Sequence, residues 1–378
     1  MASDRNAFEA AMLEVIAKTG PQSRAELGRA TGITRATAGT LVARLLDKGI
    51  LQHSQMPGDV RQRPVGRPGE LVSLNPDYKH VIGVDAGIGF VQALRMNLQG
   101  DVVAERRVET RAADRAPERL ARLIADLVRD VADGARAFGG VSVAIPGIVT
   151  REGHVMRAPF LDWHDVPFLD LIAGDLAPFG ALSLENDANA LAMGQVIRGT
   201  VSPDDMNIFF SMDVGVGGSI VRGGVLMDGQ SGLAGEFGHI FVHPSTGGAA
   251  VRLENVIGRR AVLDRYAELG GQARDLEAFL AALDAGETTA RALQAEWIEV
   301  LAQALATITS VLNPGCIAFG GSLTALLDRS LPELDAAYQG LLMHGTVKPR
   351  FVLADSAQHS VALGCGDIRR AAVLRTCE

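Results

Sequence analysis

Cysteine is scarce in this chain. Cys316, Cys365 and Cys377 are the only three in 378 residues, and no two are spaced as Cys-x-x-Cys. That spacing excludes a disulfide framework and a zinc site built on cysteine pairs, and it fits a reducing compartment. Long apolar runs are missing too. None is read as reaching the ~18–20 residues that cross a bilayer, and Met1–Gly20 has no secretion-signal pattern. A cytoplasmic protein with no membrane partner is expected. Positive charge is also in deficit, with Lys+Arg 36 against Asp+Glu 44 and a net charge of −8. Taken as a total, this argues against nucleic acid. The distribution argues the other way. Residues 1–79 hold 11 Lys+Arg against 8 Asp+Glu, a net of +3, and the remainder carries −11. A basic head on an acidic body suits a small module that touches phosphates and a larger one that does not.

What is present begins with a helical pattern. Phe8, Met12, Leu13, Val15 and Ile16 fall near helical spacing, and Gly20-Pro21 ends the run. Ser23 followed by Glu26 predicts a capping box. Thr31-Gly32-Ile33 reads as a tight turn, after which Thr34 caps a second helix with Ala38, Leu41, Val42, Leu45 and Leu46 on its apolar side. Two short helices across a glycine turn make a helix-turn-helix. The start of the second helix carries Thr34, Arg35, Thr37 and Thr40, small hydroxyls and one Arg that suit base edges in a major groove. The plainer alternative is a cap and a solvated face. Ile50-Leu51-Gln52 and Glu70–Leu74 then form a hairpin around Gln55–Gly69, a Gly/Pro-rich arm holding Arg61, Arg63 and Arg67. Such an arm suits a minor groove, whose potential attracts Arg; a basic linker is the alternative. Helices, hairpin and arm together predict a winged helix-turn-helix that binds double-stranded DNA, over residues 1–75.

Residues 76–378 read as α/β. Val81–Asp85, Val91–Met96 and Val102–Ala104 form a meander, Ala116–Ala137 a helix, and Val141–Ile145 a buried strand closed by Pro146-Gly147. The theme returns with Ile208–Met212, a turn over Val214–Gly218, and Ser219–Val221. A helix over 287–312 and a strand Cys316–Phe319 follow, and Gly320-Gly321-Ser322 opens a further helix. The repeat implies a duplicated domain with a cleft between its halves.

Certain motifs make the body specific. They are Asp85-x-Gly87 after a strand, Ala144-Ile145-Pro146-Gly147, Glu185-Asn186-Asp187-Ala188-Asn189-Ala190, Gly235-Glu236-Phe237-Gly238-His239 and Gly320-Gly321. In this order, behind a winged helix, the chain resembles the winged-helix regulator branch of the ROK family (repressors, open reading frames and sugar kinases). The resemblance covers nearly the whole chain. It implies a two-lobed actin/hexokinase-like fold, a ribonuclease H-like unit duplicated, usually assembled as homodimers or homotetramers. It also implies that Asp187 matches the base of family kinases and that Asn186, Glu236, His239 and Glu254 match sugar contacts. Read without the resemblance, the same residues are a helix cap and a polar turn.

The resemblance fails on the phosphate side. Family kinases carry Asp-x-Gly-Gly-Thr and Gly-Thr-Gly-x-Gly. This chain has Asp85-Ala86-Gly87-Ile88-Gly89 and Asp213-Val214-Gly215-Val216-Gly217. Phosphoryl transfer rests on positioning and charge neutralisation. Two lost hydroxyls and an added carboxylate oppose both, so no enzyme and no cofactor are expected. The family's cysteine-bearing zinc loop has no counterpart in His243–Glu254, so no metal is expected. Family kinases contact sugar through Asn in Ala-Pro-Asn-Leu; here Ala158-Pro159-Phe160-Leu161 replaces it. Phe160 could stack on a sugar face, favour a less hydroxylated or N-acetylated ligand, or close the pocket. The expected function is a DNA-binding transcriptional regulator of carbohydrate metabolism, a repressor answering to a sugar or sugar derivative. Its rivals are an active or bifunctional ATP-dependent sugar kinase with a DNA-binding head, and a DNA-bound architectural protein with an empty cleft.

Overall fold

The computed structural model describes residues 2–54, 70–230, 232–244, 247, 249–353 and 360–376. The chain divides into two compact units, Met1–Ala190 with Val361–Glu378, and Leu191–Ser360.

The first unit opens on the expected winged helix. α1 (Ala2–Thr19) buries Met12, Leu13 and Ile16. β1 (Gln22–Ser23) leads into α2 (Arg24–Ala30), and the capping box forms: the Glu26 N–H donates to Ser23 Oγ at 3.3 Å, and the Ser23 N–H donates to Glu26 Oε2 at 2.8 Å. Each closes a backbone donor that a helix start otherwise leaves open. Thr34 caps α3 (Arg35–Asp47), which buries Ala38, Leu41, Val42 and Leu45. β2 (Leu51–Ser54) and β3 (Leu71–Leu74) pair antiparallel with Leu51 opposite Leu74. Arg61, Arg63 and Arg67 lie outside the described residues.

A mixed sheet follows, in the order β11-β7-β4-β5-β6. β4 (His80–Asp85), β5 (Phe90–Met96) and β6 (Val102–Glu109) form the antiparallel meander. α4 (Pro117–Ala132) crosses to β7 (Phe138–Ile145), parallel to β4. The helix expected to reach Ala137 stops at Ala132, where Gly134 turns at φ 80° to feed β7. A small antiparallel sheet of β8 (Ile148–Val149), β9 (Val155–Ala158) and β10 (Trp163–Val166), and α5 (Phe168–Leu176), precede β11 (Leu182–Asn186), parallel to β7. α6 (Asp187–Ile197) then carries the chain into the second unit.

The second unit repeats the plan. Its sheet runs β14-β13-β12-β17-β18. β12 (Met206–Met212), β13 (Val216–Arg222) and β14 (Val225–Leu226) are antiparallel. After β15 (Phe241–Val242), β16 (Val251–Arg252), α7 (Glu254–Ile257), α8 (Arg259–Glu268), α9 (Leu276–Asp284) and α10 (Thr288–Leu312), β17 (Cys316–Gly320) lies parallel to β12. α11 (Thr324–Leu341) leads to β18 (Arg350–Leu353), parallel to β17. One meander and two added parallel strands in each unit establish the duplication. The turn expected over Val214–Gly218 is shorter than that, because β13 already starts at Val216. α10 corrects the reading of apolar runs: by length and composition it could cross a membrane. Here it is a core helix, with Leu293, Trp297, Leu301 and Leu305 buried and Trp297 Nε1 donating to Ile257 O at 3.1 Å.

The last helix, α12 (Ser360–Thr376), rejoins the first unit. A side chain on Gly83 would run into Ala362 O, so β4 needs glycine there to let α12 lie against the sheet. The head does not stand apart. Met12, Leu13, Leu45 and Leu74 of the winged helix share one apolar cluster with Val81, Leu94 and Met96 of the sheet and Val373 and Leu374 of α12. Polar contacts follow the same seam. Gln99 Nε2 donates to Leu74 O at 2.8 Å, and Arg375 Nε lies 3.5 Å from Glu14 Oε1.

Candidate DNA-binding surface and effector site

On the head, the expected recognition residues share the first turns of α3, all exposed. Three are partly engaged in the helix itself. Thr34 Oγ1 accepts the Thr37 N–H at 3.2 Å and lies 2.9 Å from Thr37 Oγ1, and Thr40 Oγ1 donates to Ala36 O at 3.2 Å. Arg35 is left with its donors outward. Near the end of α3, Arg44 Nε and, just past the helix, Lys48 Nζ lie 3.4 and 3.8 Å from the carboxylate of Glu9, which is wholly buried. Sequence reasoning missed Glu9. Its place three and four residues before Met12 and Leu13, on the apolar face of α1, was the available signal.

In the first unit the carboxyl ends of the parallel strands stand side by side: Asp85 opposite Ala144, and Ile145 opposite Asn186. Ligands of open α/β sheets bind at such ends. Asn186 is heavily committed. Its Nδ2 donates to Gly147 O at 2.9 Å and its Oδ1 accepts the Asn189 N–H at 3.0 Å, which makes it the cap of α6. Asp187 Oδ1 accepts the Ala188 N–H at 2.9 Å, so the capping alternative holds for this pair in part. Glu185, just before them, has its carboxyl pushed above the ordinary value by burial, opposed by the Ser183 hydroxyl and the Arg369 guanidinium. Phe160, in the turn after β9, is 37% exposed.

In the second unit Glu236, His239 and Glu254 gather. His239 Nε2 lies 4.0 Å from Glu236 Oε2 and 3.9 Å from Glu254 Oε1. Burial raises the Glu236 carboxyl above its usual range, His239 lowers it and Glu254 raises it. Two carboxylates around one imidazole form an acceptor-rich cluster suited to hydroxyl donors. The loop between β12 and β13 is tied down: Asp213 Oδ1 accepts the Ser322 hydroxyl at 2.6 Å and lies 3.2 Å from Arg259 Nε.

The sequence profile of the ROK family matches residues 81–371. This chain belongs to the ROK family. A MarR family profile matches residues 4–62, so the ROK domain stands behind a MarR-type winged helix. A putative xylose repressor of Caldicellulosiruptor sp. (strain Rt8B.4) is 25% identical over 335 residues, 82% of this chain and 82% of that one. A crystal structure described as a ROK family transcriptional regulator, homolog of the E. coli MLC protein, superposes with a TM-score of 0.79 at 20% identity, over 99% of this chain and 97% of that chain. A ROK family glucokinase from Streptomyces griseus, solved with glucose and AMPPNP, gives 0.66 at 23% identity, over 76% and 98%. At these identities the two structures establish the fold: the winged helix and the actin/hexokinase-like ROK domain expected from the motifs.

The ROK domain here does not fit the family's zinc. Zinc in structural sites takes four close N or S ligands. Residues 240–253 hold no cysteine, and among the described residues the ion-pair partners of His239 are the carboxylates of Glu236 and Glu254.

Proposed function

We propose that this ROK protein is a sugar-responsive transcriptional repressor and not an enzyme. Residues 1–75 bind a double-stranded DNA operator through Thr34, Arg35, Thr37 and Thr40, with Arg61, Arg63 and Arg67 on the arm. Residues 76–378 hold the effector, which Asn186, Asp187, Glu236, His239 and Glu254 contact. The protein acts in the cytoplasm as a homodimer or homotetramer, with no membrane partner. One observation carries the reading: the winged helix and the first ROK unit share a single apolar core with α12. A head fixed in this way follows any rearrangement of the unit it is built on, and a ligand shifts that equilibrium by its differential affinity for the two arrangements. A kinase with a DNA-binding head draws its support from Asp187, a carboxylate at the end of β11 beside the turn after β7.

The relative named a putative xylose repressor makes xylose the first sugar to test. Mobility shifts with the chain's own upstream DNA should show a complex that a pentose or hexose panel disrupts for at least one sugar. Absence of binding to any genomic fragment would defeat the proposal.

Effector binding is expected to depend on pH through Glu236. Its raised carboxyl stabilises the fold below the unfolded value, and that contribution disappears as pH rises through the folded value. A sugar hydroxyl donates to the charged form, so lowering pH through the folded value weakens binding, earlier than an ordinary glutamate would. Calorimetric titration between about pH 8 and about pH 5 should show Kd rising toward acid in the native protein and a flatter profile in Glu236→Gln. Equal profiles in both would contradict the assignment.

A further inference from the structure

At the edge of the first sheet opposite Asn186, β7 and β11 begin beside the last turns of α12. β7 bulges there: Phe138 stands opposite His80 and Gly140 opposite Val81, which leaves Gly139 outside the ladder. Glycine lets α12 come close. A Cβ on Gly139 would run into the Val373 side chain, and one on Gly140, whose φ is 133°, would meet Ala181 O and lie 3.1 Å from Arg369 Nε. Between these segments opens a cavity of about 260 Å³. Its charged lining residues are Lys79 and Arg369, and no carboxylate of the described residues lines it. Neither cation has an ion pair among the described residues. Arg369 Nε is buried without a hydrogen-bond partner. Burial pushes its guanidinium below the ordinary value, and the charge of Glu185 opposes this. Lys79 Nζ lies 5.7 Å from the centre of the Tyr78 ring. A buried donor left unpaired costs free energy that an anion recovers. The Thr376 hydroxyl bonds Ala372 O and Val373 O at 3.2 Å each, engaging carbonyls at the helix end whose partial charge opposes an anion.

We propose that this cavity is a second ligand site, for a phosphate group, free or carried on a short monoester. A guanidinium fork and an ammonium arriving from different segments suit a tetrahedral dianion better than a lone carboxylate. Volume sets the size of the occupant. Cavities that enclose drug-sized ligands run about 300–1,000 Å³, so a nucleotide is too large and a phosphate on a short stem fits. The site is distinct from the effector contacts Asn186 and Asp187, which stand at the other ends of the same parallel strands. Its occupant touches the root of the head: Lys79 follows the wing hairpin, and Val373 belongs to the cluster that holds Met12 and Leu13. A bound phosphate therefore braces the seam between α12 and the head, and reaches operator affinity by a route separate from the sugar. That last step rests on the regulator reading above; the binding itself does not.

Titration calorimetry on the full chain tests this, with inorganic phosphate and glycerol 3-phosphate as probes and glycerol as the neutral control. The native chain should bind at least one phosphate probe at millimolar concentration or below, and not glycerol. Lys79→Gln and Arg369→Gln should each weaken that binding at least about tenfold. Arg222→Gln, exposed on β13 of the second unit, should bind as the native chain does. Lys79 is only partly buried, so its variant reports even if Arg369→Gln unsettles α12. Tighter binding of glycerol 3-phosphate assigns a monoester, and tighter binding of inorganic phosphate assigns the free ion. No binding of either probe by the native chain overturns the proposal, and so does native affinity in a folded Lys79→Gln. Fluorescence anisotropy on operator DNA runs alongside. If free phosphate does not bind and both glutamine variants weaken all DNA alike, the cavity grips the DNA backbone and the proposal falls. If phosphate binds as expected and no genomic fragment does, the site stands and the regulator reading alone fails.

Discussion

Exchanging Arg370 for alanine is expected to lower operator affinity at least about tenfold and to destabilise the first unit by about 3–5 kcal/mol. Arg370 is only 7% exposed on α12. Its Nη1 reaches Leu98 O at 3.4 Å and Gln99 O at 3.3 Å, and its Nη2 lies 3.5 Å from Asp367 Oδ1, a carboxylate with no exposure at all. The alanine variant leaves that carboxylate buried with a cation removed, which is where most of the penalty arises. The turn it clamps is the one that donates from Gln99 to Leu74 of the wing hairpin, so the same change loosens the head. A loss of this size is a large share of the ~5–15 kcal/mol that holds an ordinary domain. Arg370→Lys should fall between, since one ammonium replaces a fork that spans two carbonyls. Differential scanning calorimetry and fluorescence anisotropy on operator DNA check both parts. A native melting temperature together with native affinity in Arg370→Ala would show that α12 does not transmit anything to the head.

The parts of this molecule that could be read from sequence are the local ones. The Ser23–Glu26 box, the Thr34 cap and the two meanders each depend on residues a few positions apart; the box and the cap stand where the pattern placed them, and both meanders form, the second with a shorter turn than expected. Interactions across the chain left no such trace. Arg370 reaches back 272 residues to Leu98, and Ser322 reaches 109 residues to Asp213. The sequence flagged Asp213 as foreign to its glycine turn, but gave no sign that Arg259 and Ser322 would receive it. The head shows the same limit from another side. Its own apolar periodicity was plain, yet nothing local said that Leu74 and Met12 would join Met96 and Leu374 in one core. Asn186 was legible as a polar residue at a strand end, and its double commitment to Gly147 and Asn189 emerges only once β7 and β11 lie in register.

The recognition helix yields the other large effect. Removing Arg35 should weaken specific DNA binding by about 1–3 kcal/mol, the worth of one good bidentate contact to a guanine edge. The threonines around it are worse candidates for that role, since Thr34 and Thr37 engage each other and Thr40 donates to the backbone of its own helix. Arg35 is exposed and has no ion pair among the described residues, so its fork of donors faces outward with nothing to give up on binding. Thr34→Ala acts differently. It removes a helix cap, costs about 1 kcal/mol of stability, and weakens all DNA alike. Salt titrations separate the two. If Arg35 reads a base, its alanine variant relaxes preference at one operator position and leaves the salt dependence of binding unchanged. If it grips a phosphate, affinity falls uniformly across sequences and the salt slope drops by about one. The assignment here is to a base, because Arg35 opens the helix that a winged head inserts by its N-terminal end. An Arg35→Ala protein that keeps native discrimination between operator and scrambled DNA would remove Arg35 from sequence readout and leave the threonines of α3 and the arm as the remaining readers.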